Sequence, residues 1–436
     1  MVLDKLFGWV RKKEKDPQIP FGRYSDNNKS VQQVEQWTEA DRLFKENNYR
    51  ESIDAFFDYL CDDEQQNVEI EKNNGIINFK LYQGSKLVRG HIEGDMLNAE
   101  IALARMPEPS MPVMRRLLEM NFNLYYSRYS LKGDIIYMRF DSKLNTATPN
   151  KLYYGLKELA TKADKQDDLL LNEFKSLEHI DVDHVSPIPI GEQVIKLRYL
   201  RDWIKSTLEY VETLDPDKFS GAISYLLLTL VFRIDYLISP EGKILSELEK
   251  IASTYYGKED KNSSARNPSM IAGFRKILEK SDEEIAAQLF RSKYTFAIVV
   301  PQSSKQVSEA IETALENMTW YRDNNYPDIA NEVMEYGFAY SQYSYSLPKP
   351  LTELFKLFMQ INHAGYFEAL GFHTKYYKAE TNDFEEDDII DRIELIINEW
   401  RPKYSSLGFK TRKLRFDTLV NFNQSFLEEV AELNLD

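Results

Sequence analysis

The chain is poor in the residues from which covalent and metal chemistry is built: among 436 residues there are one cysteine, Cys61, and five histidines. A single cysteine excludes an internal disulfide and fits a reducing compartment, so a cytoplasmic location is expected. Cys61 ends an apolar helical pattern, where a small core thiol is a simpler reading than a reactive one. The chain contains no G-x-S-x-G elbow, no H-E-x-x-H pair, no G-x-x-x-x-G-K-[ST] loop, no G-x-G-x-x-G turn and no C-x-x-C pair. The expectation is a protein that is not an enzyme, with no catalytic residue, no cofactor and no metal.

Long apolar runs are also missing. The most apolar stretch, Ala222 to Phe232, is followed at once by Arg233 and Asp235, well short of the ~20 residues a membrane-spanning helix needs. It reads as a buried helix. Positive charge is outnumbered, with 55 Lys and Arg against 70 Asp and Glu, a net charge of −15. That balance argues against nucleic acid as a partner, because phosphate neutralisation requires clustered cations.

What remains is ordinary globular material: 43% hydrophobic and 29% charged residues, enough to bury real cores in two or more domains. Residues 1–30 hold an amphipathic segment, MVLDKLFGWVRKKEK, and a Pro/Gly/Asn connector. The segment is apolar before it is basic, the reverse of a secretory signal. Weak membrane-surface contact through residues 1–15 is one expectation for it, and packing back on the protein is the other. Residues 31–65 read as a tetratricopeptide-like helix pair, with Ala40, Leu43, Phe44, Tyr49, Ile53, Phe56 and Tyr59 at helical spacing about Asn47-Asn48. A lone pair of this kind cannot bury its own apolar face, so it should cap the neighbouring sheet.

Residues 66–178 form the most informative block. Ile77, Phe79 and Leu81 alternate with polar residues, and turns at Gly84-Ser85 and Gly94-Asp95 lead into Leu87–Glu93 and Leu97–Ala104. After the prolines at 107, 109 and 112 comes a helix carrying Met114, Leu117 and Leu118. FNLYYSRYSLKGDIIYMRFD reads as a hairpin about Lys132-Gly133-Asp134, and Thr148-Pro149 starts a long helix. This order of three strands, helix, two strands and helix, with LLEMNFNLYYSRYSLKGDIIYMRFD, resembles the type III secretion chaperones and their YbjN-like relatives in bacteria. The resemblance covers about a quarter of the chain. It implies an antiparallel sheet packed on helices, a protein partner and a homodimer.

A proline-bearing linker, residues 179–191, precedes a mainly helical domain over 192–436, giving an α+β protein overall. Leu197, Leu200, Ile204, Leu208 and Val211 keep helical spacing, as do Leu351, Leu354, Phe355 and Phe358. Thr295 to Val300 reads as a buried strand, and Phe409 to Phe422 as one or two strands before a last helix.

Candidate sites are few. His179, Asp181, Asp183 and His184 could ligate a metal, but the same set arises in a solvated linker. His363 and His373 flank an aromatic helix end whose Tyr366, Phe367, Leu370 and Phe372 suit a core. The acidic stretch Glu380–Glu394 lacks the spacing of a calcium loop and suits a helix N-terminus. The partner-binding residues are placed on the sheet: with Ile136, Met138 and Phe140 inward, Tyr125, Tyr129, Ile135 and Tyr137 should face outward as an apolar and aromatic surface for another polypeptide. The alternative is an enzyme or ligand-binding protein with a site between the two large domains.

Overall fold

The structure is a computed structural model that describes residues 16–181, 185–257, 262–301 and 303–435; the amphipathic segment 1–15 and two of the linker's metal candidates, Asp183 and His184, lie outside these residues. It is an α+β protein with an antiparallel sheet packed among helices and a helical C-terminal region. Helices α1 (Val31–Lys45) and α2 (Tyr49–Leu60) precede strands β1 (Val68–Asn73), β2 (Ile76–Gly84), β3 (Lys86–Glu93) and β4 (Met96–Arg105). Helix α3 (Met111–Asn121), strands β5 (Arg128–Lys132) and β6 (Ile135–Lys143) and helix α4 (Pro149–Glu173) complete the block.

The meander therefore has one strand more than the sequence reading gave it. In β1, Val68 and Ile70 are half-buried while Glu69 and Glu71 stand toward solvent on the other face. A two-residue turn joins β1 to β2, with Asn74 at φ 50° and Gly75 at φ 78°. Positive φ at both central residues is what a right-twisted hairpin requires.

The strand order is β1-β2-β3-β4-β6-β5, so β6 sits between β4 and the edge strand β5. A seventh, two-residue strand, Lys293–Tyr294, pairs with the end of β2. The core face of the sheet carries Ile77, Phe79, Leu81, Val88, Ile92, Leu97, Ala99, Ile101, Met138 and Phe140. It packs on α4 through Leu152, Leu156, Leu159 and Ala163, and on α2 through Phe56, Phe57 and Leu60. The approach is close because Phe140 lies against Gly155 of α4, where an added Cβ would come within 2.5 Å of the ring.

The C-terminal region comprises α5 (Ile190–Glu212), α6 (Ser220–Arg233), α7 (Gly242–Tyr256), α8 (Ser263–Leu278), α9 (Asp282–Ala286), α10 (Ser304–Asp323), α11 (Pro327–Ser344), α12 (Lys349–Asn362), α13 (Ala364–Ala369), α14 (Glu386–Trp400) and α15 (Leu419–Ala431). The stretch Ser220–Ile238 is long and apolar enough to cross a membrane by composition, yet 89% of it lies inside the protein, as the centre of the helical core. Tyr336, Tyr340 and Tyr343 share one face of α11 against Phe232, as their spacing predicts.

Two expected strands are not formed. Of Thr295–Val300, Thr295 to Ala297 is buried but irregular, with hydrogen bonds to the Gln83 side chain and the Tyr82 carbonyl rather than to a ladder, Ile298 is exposed, and only Val300 enters a two-residue strand, paired with Tyr345. Phe409 to Phe422 is a loop with a 3-10 turn at Thr411–Lys413, and α15 already begins at Leu419.

The two halves are stitched by segments foreign to each. Phe296 inserts into the sheet's core, and Gln83 Oε1 accepts from the amides of Thr295 (3.3 Å) and Phe296 (3.0 Å). Residues 16–30, expected as a mere connector, run between both cores. The amide of Gly22 donates to the Tyr236 carbonyl at 2.9 Å, Arg23 pairs with Asp235, and Lys29 donates to the Leu60 carbonyl at 3.0 Å.

Candidate docking surface

Helix α3 starts at Ser110 with Pro112 in its first turn, where a missing amide hydrogen costs nothing. Its inner face, Val113, Leu117 and Met120, is buried against the sheet core. A surface helix needs only one such stripe, but α3 has two. Met111, Met114, Leu118 and Phe122 follow each other at three, four and four along the opposite face. Met111 is 81% exposed, Leu118 66% and Phe122 92%. The structure thus separates Leu117, which is inside, from Met114 and Leu118, which are not. Seven of the 17 large hydrophobic side chains exposed among the described residues fall between positions 111 and 131. Scattered single exposures are normal on any surface, whereas a cluster of this kind marks an interaction site.

The loop after α3 extends the stripe and is held rigidly. Glu158 of α4 accepts from the amides of Tyr125 (2.8 Å), Tyr126 (2.9 Å) and Ser127 (2.8 Å), and from the Ser127 hydroxyl at 2.7 Å. Asn121 Oδ1 accepts from the Tyr129 amide at 2.8 Å, closing the other end of the loop. Burial pushes the Glu158 carboxyl up, but the Ser127 hydroxyl and the three amides outweigh it, leaving the group below its ordinary range. The consequence is a fixed backbone from which the Tyr125 ring, 92% exposed, projects. Such a ring loses little freedom when a partner covers it.

The four tyrosine and isoleucine positions expected on one outward face do not stay together. Tyr129 is a correction: it pairs with Met138 across the hairpin and is only 8% exposed, within the sheet core. Cross-strand partners point to the same face, so Tyr129 follows Met138 inward. Tyr125 is not in a strand at all, because β5 begins at Arg128. Ile135 and Tyr137 do lie on the open face of the sheet, half-buried, away from the α3 stripe.

That open face is polar. A trough of about 560 Å³ crosses it, lined by two rows of side chains. One row, Glu69–Lys80–Arg89–Glu100–Arg139–Arg128, is in register across all six main strands. The other contains Glu71, Asn78, His91, Asn98 and Asp141. The charges neutralise one another: Lys80 meets Glu69 at 3.0 Å, Arg139 meets Glu100 at 2.6 Å, and Arg128 pairs with Asp141.

The remaining candidates are structural. Asp181, from the linker's proposed metal set, forms an ion pair with Arg89, and no group of three metal-ligating side chains occurs among the described residues. His363 has a partner that the sequence did not disclose. Its Nε2 lies 2.9 Å from Glu335, which also accepts from Arg233 at 2.8 Å, while Arg233 holds Glu332 through two contacts of 2.7 Å. Burial raises the Glu335 carboxyl, but Arg233 and then His363 overcome it and hold the group at about 2. This quartet links α6, α11 and the end of α12 inside the helical core. His373 lies elsewhere, its amide donating to Asp16 at 2.8 Å. Tyr366, Phe367, Leu370 and Phe372 are core, as their pattern predicts. Glu386, Asp387 and Asp388 occupy the first turn of α14, where the helix dipole favours them. Burial pushes the Cys61 thiol up to about 11, which removes its nucleophilic form at neutral pH.

Compared with known protein families and with curated proteins, the chain matches no family model and no curated sequence.

Proposed function

We propose that this chain is a non-catalytic, cytoplasmic interaction protein that engages another polypeptide through the outer stripe of α3 and the clamped loop behind it. The observation that carries the reading is the exposed set Met111, Met114 and Leu118 on a helix whose other face is already packed, followed by exposed Phe122 at its C-cap and Tyr125 in the next loop. Apolar side chains on one face of a helix are the usual anchors by which helices dock in grooves or on one another. The resemblance to secretion chaperones agrees with this role but is not needed for it. Relative to the outward sheet face expected from sequence, the surface has moved to the helix layer, and only Tyr125 of the original four residues belongs to it. The rival reading required a cavity between the large domains around His363 or His373. The trough of about 560 Å³ lies on the sheet, and a cavity of about 400 Å³ between the N-terminal helices and the C-terminal region is lined by Asp26, Lys29, Tyr59, Ser303, Lys403 and Tyr404, with neither His363 nor His373 among its lining residues.

Affinity capture from native cytosol tests the proposal. Polypeptides retained by the wild-type chain are expected to be lost from a Leu118→Glu, Phe122→Glu variant that keeps its circular dichroism and melting temperature. Identical retention by both forms would remove α3 as the docking surface.

A further inference from the structure

The cavity of about 400 Å³ is walled by Asp26 and Lys29 from the 16–30 segment, by Ser303 and Ser304 at the start of α10, and by Lys403 just beyond the end of α14. We propose that it binds a small phosphate-bearing solute, held by the charges of Lys29 and Lys403. The site is separate from the docking surface on α3 and does not depend on it.

The observation that carries the proposal is a pair of cations with no acid to meet. Lys29 is 2% exposed, yet its ammonium donates only to the Leu60 carbonyl at 3.0 Å and lies over the rings of Tyr24 and Tyr59, 5.4 and 5.2 Å from their centroids. Lys403, half-buried, donates to the Lys29 carbonyl at 3.1 Å. Among the described residues neither lysine forms an ion pair. Other buried cations of this protein are treated differently: Arg23 pairs with Asp235, Lys196 meets Glu192 at 3.2 Å, and Arg233 meets Glu335 at 2.8 Å. A buried charge satisfied by carbonyls and ring faces alone still bears much of its desolvation cost. Burial accordingly pushes Lys29 down to about 8, against the pull of Asp26 and Asp62 from beyond ion-pair distance, and pushes Lys403 down as well.

Asp26, the acid in the wall, is committed elsewhere. One of its oxygens accepts from the Tyr153 hydroxyl and the other from the Ala297 amide at 3.2 Å, and burial raises its carboxyl. The two ammonium groups therefore call for about two negative charges. A phosphate monoester carries roughly −1.5 to −2 at neutral pH on three acceptor oxygens, whereas a carboxylate brings one charge and two oxygens. Ser304 adds a neutral hydroxyl to the wall, and the amides of Ser304 and Lys305, at the first two positions of α10, have no partner inside the helix.

The size also fits. A cavity of about 400 Å³ falls within the roughly 300–1,000 Å³ of small-molecule sites, leaving room for the body of the solute beyond its phosphate. The wall is drawn from both sides of the seam, so a solute seated there joins the 16–30 segment to the ends of α10 and α14.

Glycerol 3-phosphate serves as the probe, titrated into the full chain at ionic strength held constant with sodium chloride. The melting temperature should rise to a plateau, as for a ligand bound by the folded form alone, and not without limit as for an excluded salt. Lys403→Gln should shift that response to roughly tenfold higher probe concentration, the loss of one charge-assisted contact, without lowering the melting temperature when the probe is absent. Lys29→Met separates binding from folding. It should abolish the response and leave the probe-free melting temperature equal or higher, because it removes a buried charge that has no ion-pair partner. No rise, a rise that never saturates, or the same rise in wild type and both variants overturns the site. So does a Lys29→Met protein that melts lower and keeps the full response, since Lys29 would then serve Asp26 and Asp62 alone. Citrate should act more weakly than the probe, and an equal or stronger response to it overturns the phosphate assignment.

Discussion

Glu158 shows how one side chain can shape a surface it does not belong to. Its carboxylate takes three consecutive amides and one hydroxyl, and in doing so fixes the backbone that carries Tyr125. Its folded-state pKa is depressed, so its contribution is present above the unfolded value of about 4.3 and is lost as pH falls through the lower folded value. Amide exchange at 125–127, corrected for its intrinsic pH dependence, should stay protected from neutral pH to about 5 and rise at more acidic values. Glu158→Gln should raise exchange there at neutral pH, and unchanged protection would remove the clamp. The role of Glu158 was not legible in the sequence, because the donors lie more than 30 positions away in the chain. Tyr129, by contrast, could have been placed correctly. Counting residues back from the Gly133-Asp134 turn pairs it with Met138, and the inward assignment of Met138 carries Tyr129 with it.

At the scale of elements, the alternation and turn residues of β2 to β6 and the start of α4 declared themselves, because two-residue turns and N-caps are local chemistry. β1 escaped because Glu69, Glu71 and Lys72 dilute its two apolar positions, although Asn74-Gly75 is a strong hairpin signal. Thr295–Ala297 misled for the opposite reason. An apolar run predicts burial, but periodicity does not say whether the run joins a ladder or plugs another core. The double stripe of α3 was in the sequence too, but adjacent Leu117 and Leu118 do not by themselves say which of the two turns inward. The seam between α4 and the sheet gives an element-scale expectation. Gly155 is a mid-helix glycine, where alanine normally gains up to about 1 kcal/mol. Here the new Cβ would press on Phe140, so Gly155→Ala should destabilise by about 1–3 kcal/mol in urea denaturation. A gain in stability would mean that the helix and sheet are less closely packed than described.

The whole molecule has two apolar cores but is not built as two independent halves. Phe296, from the C-terminal region, completes the sheet core, and the strap 16–30 hydrogen-bonds to both. Such long-range joins leave no local trace, so a sequence reading sees a connector and a linker where the structure has seams. Phe296→Ala should lower the stability of the entire chain by about 3–5 kcal/mol while leaving one cooperative transition. Two resolved transitions, with only the sheet's shifted, would show that the halves unfold separately.

The same seam has a consequence for the order of events during synthesis. The sheet block is fully made once residue 178 leaves the ribosome, yet the ring that fills its core is still about 120 residues from being added, a delay of roughly 6–24 s at ordinary elongation rates. Until then the slot beside Gln83 stands open, and the strap at the start of the chain has no Tyr236 carbonyl to hold. Of the segments described, the earliest to be made is among the last to be finished.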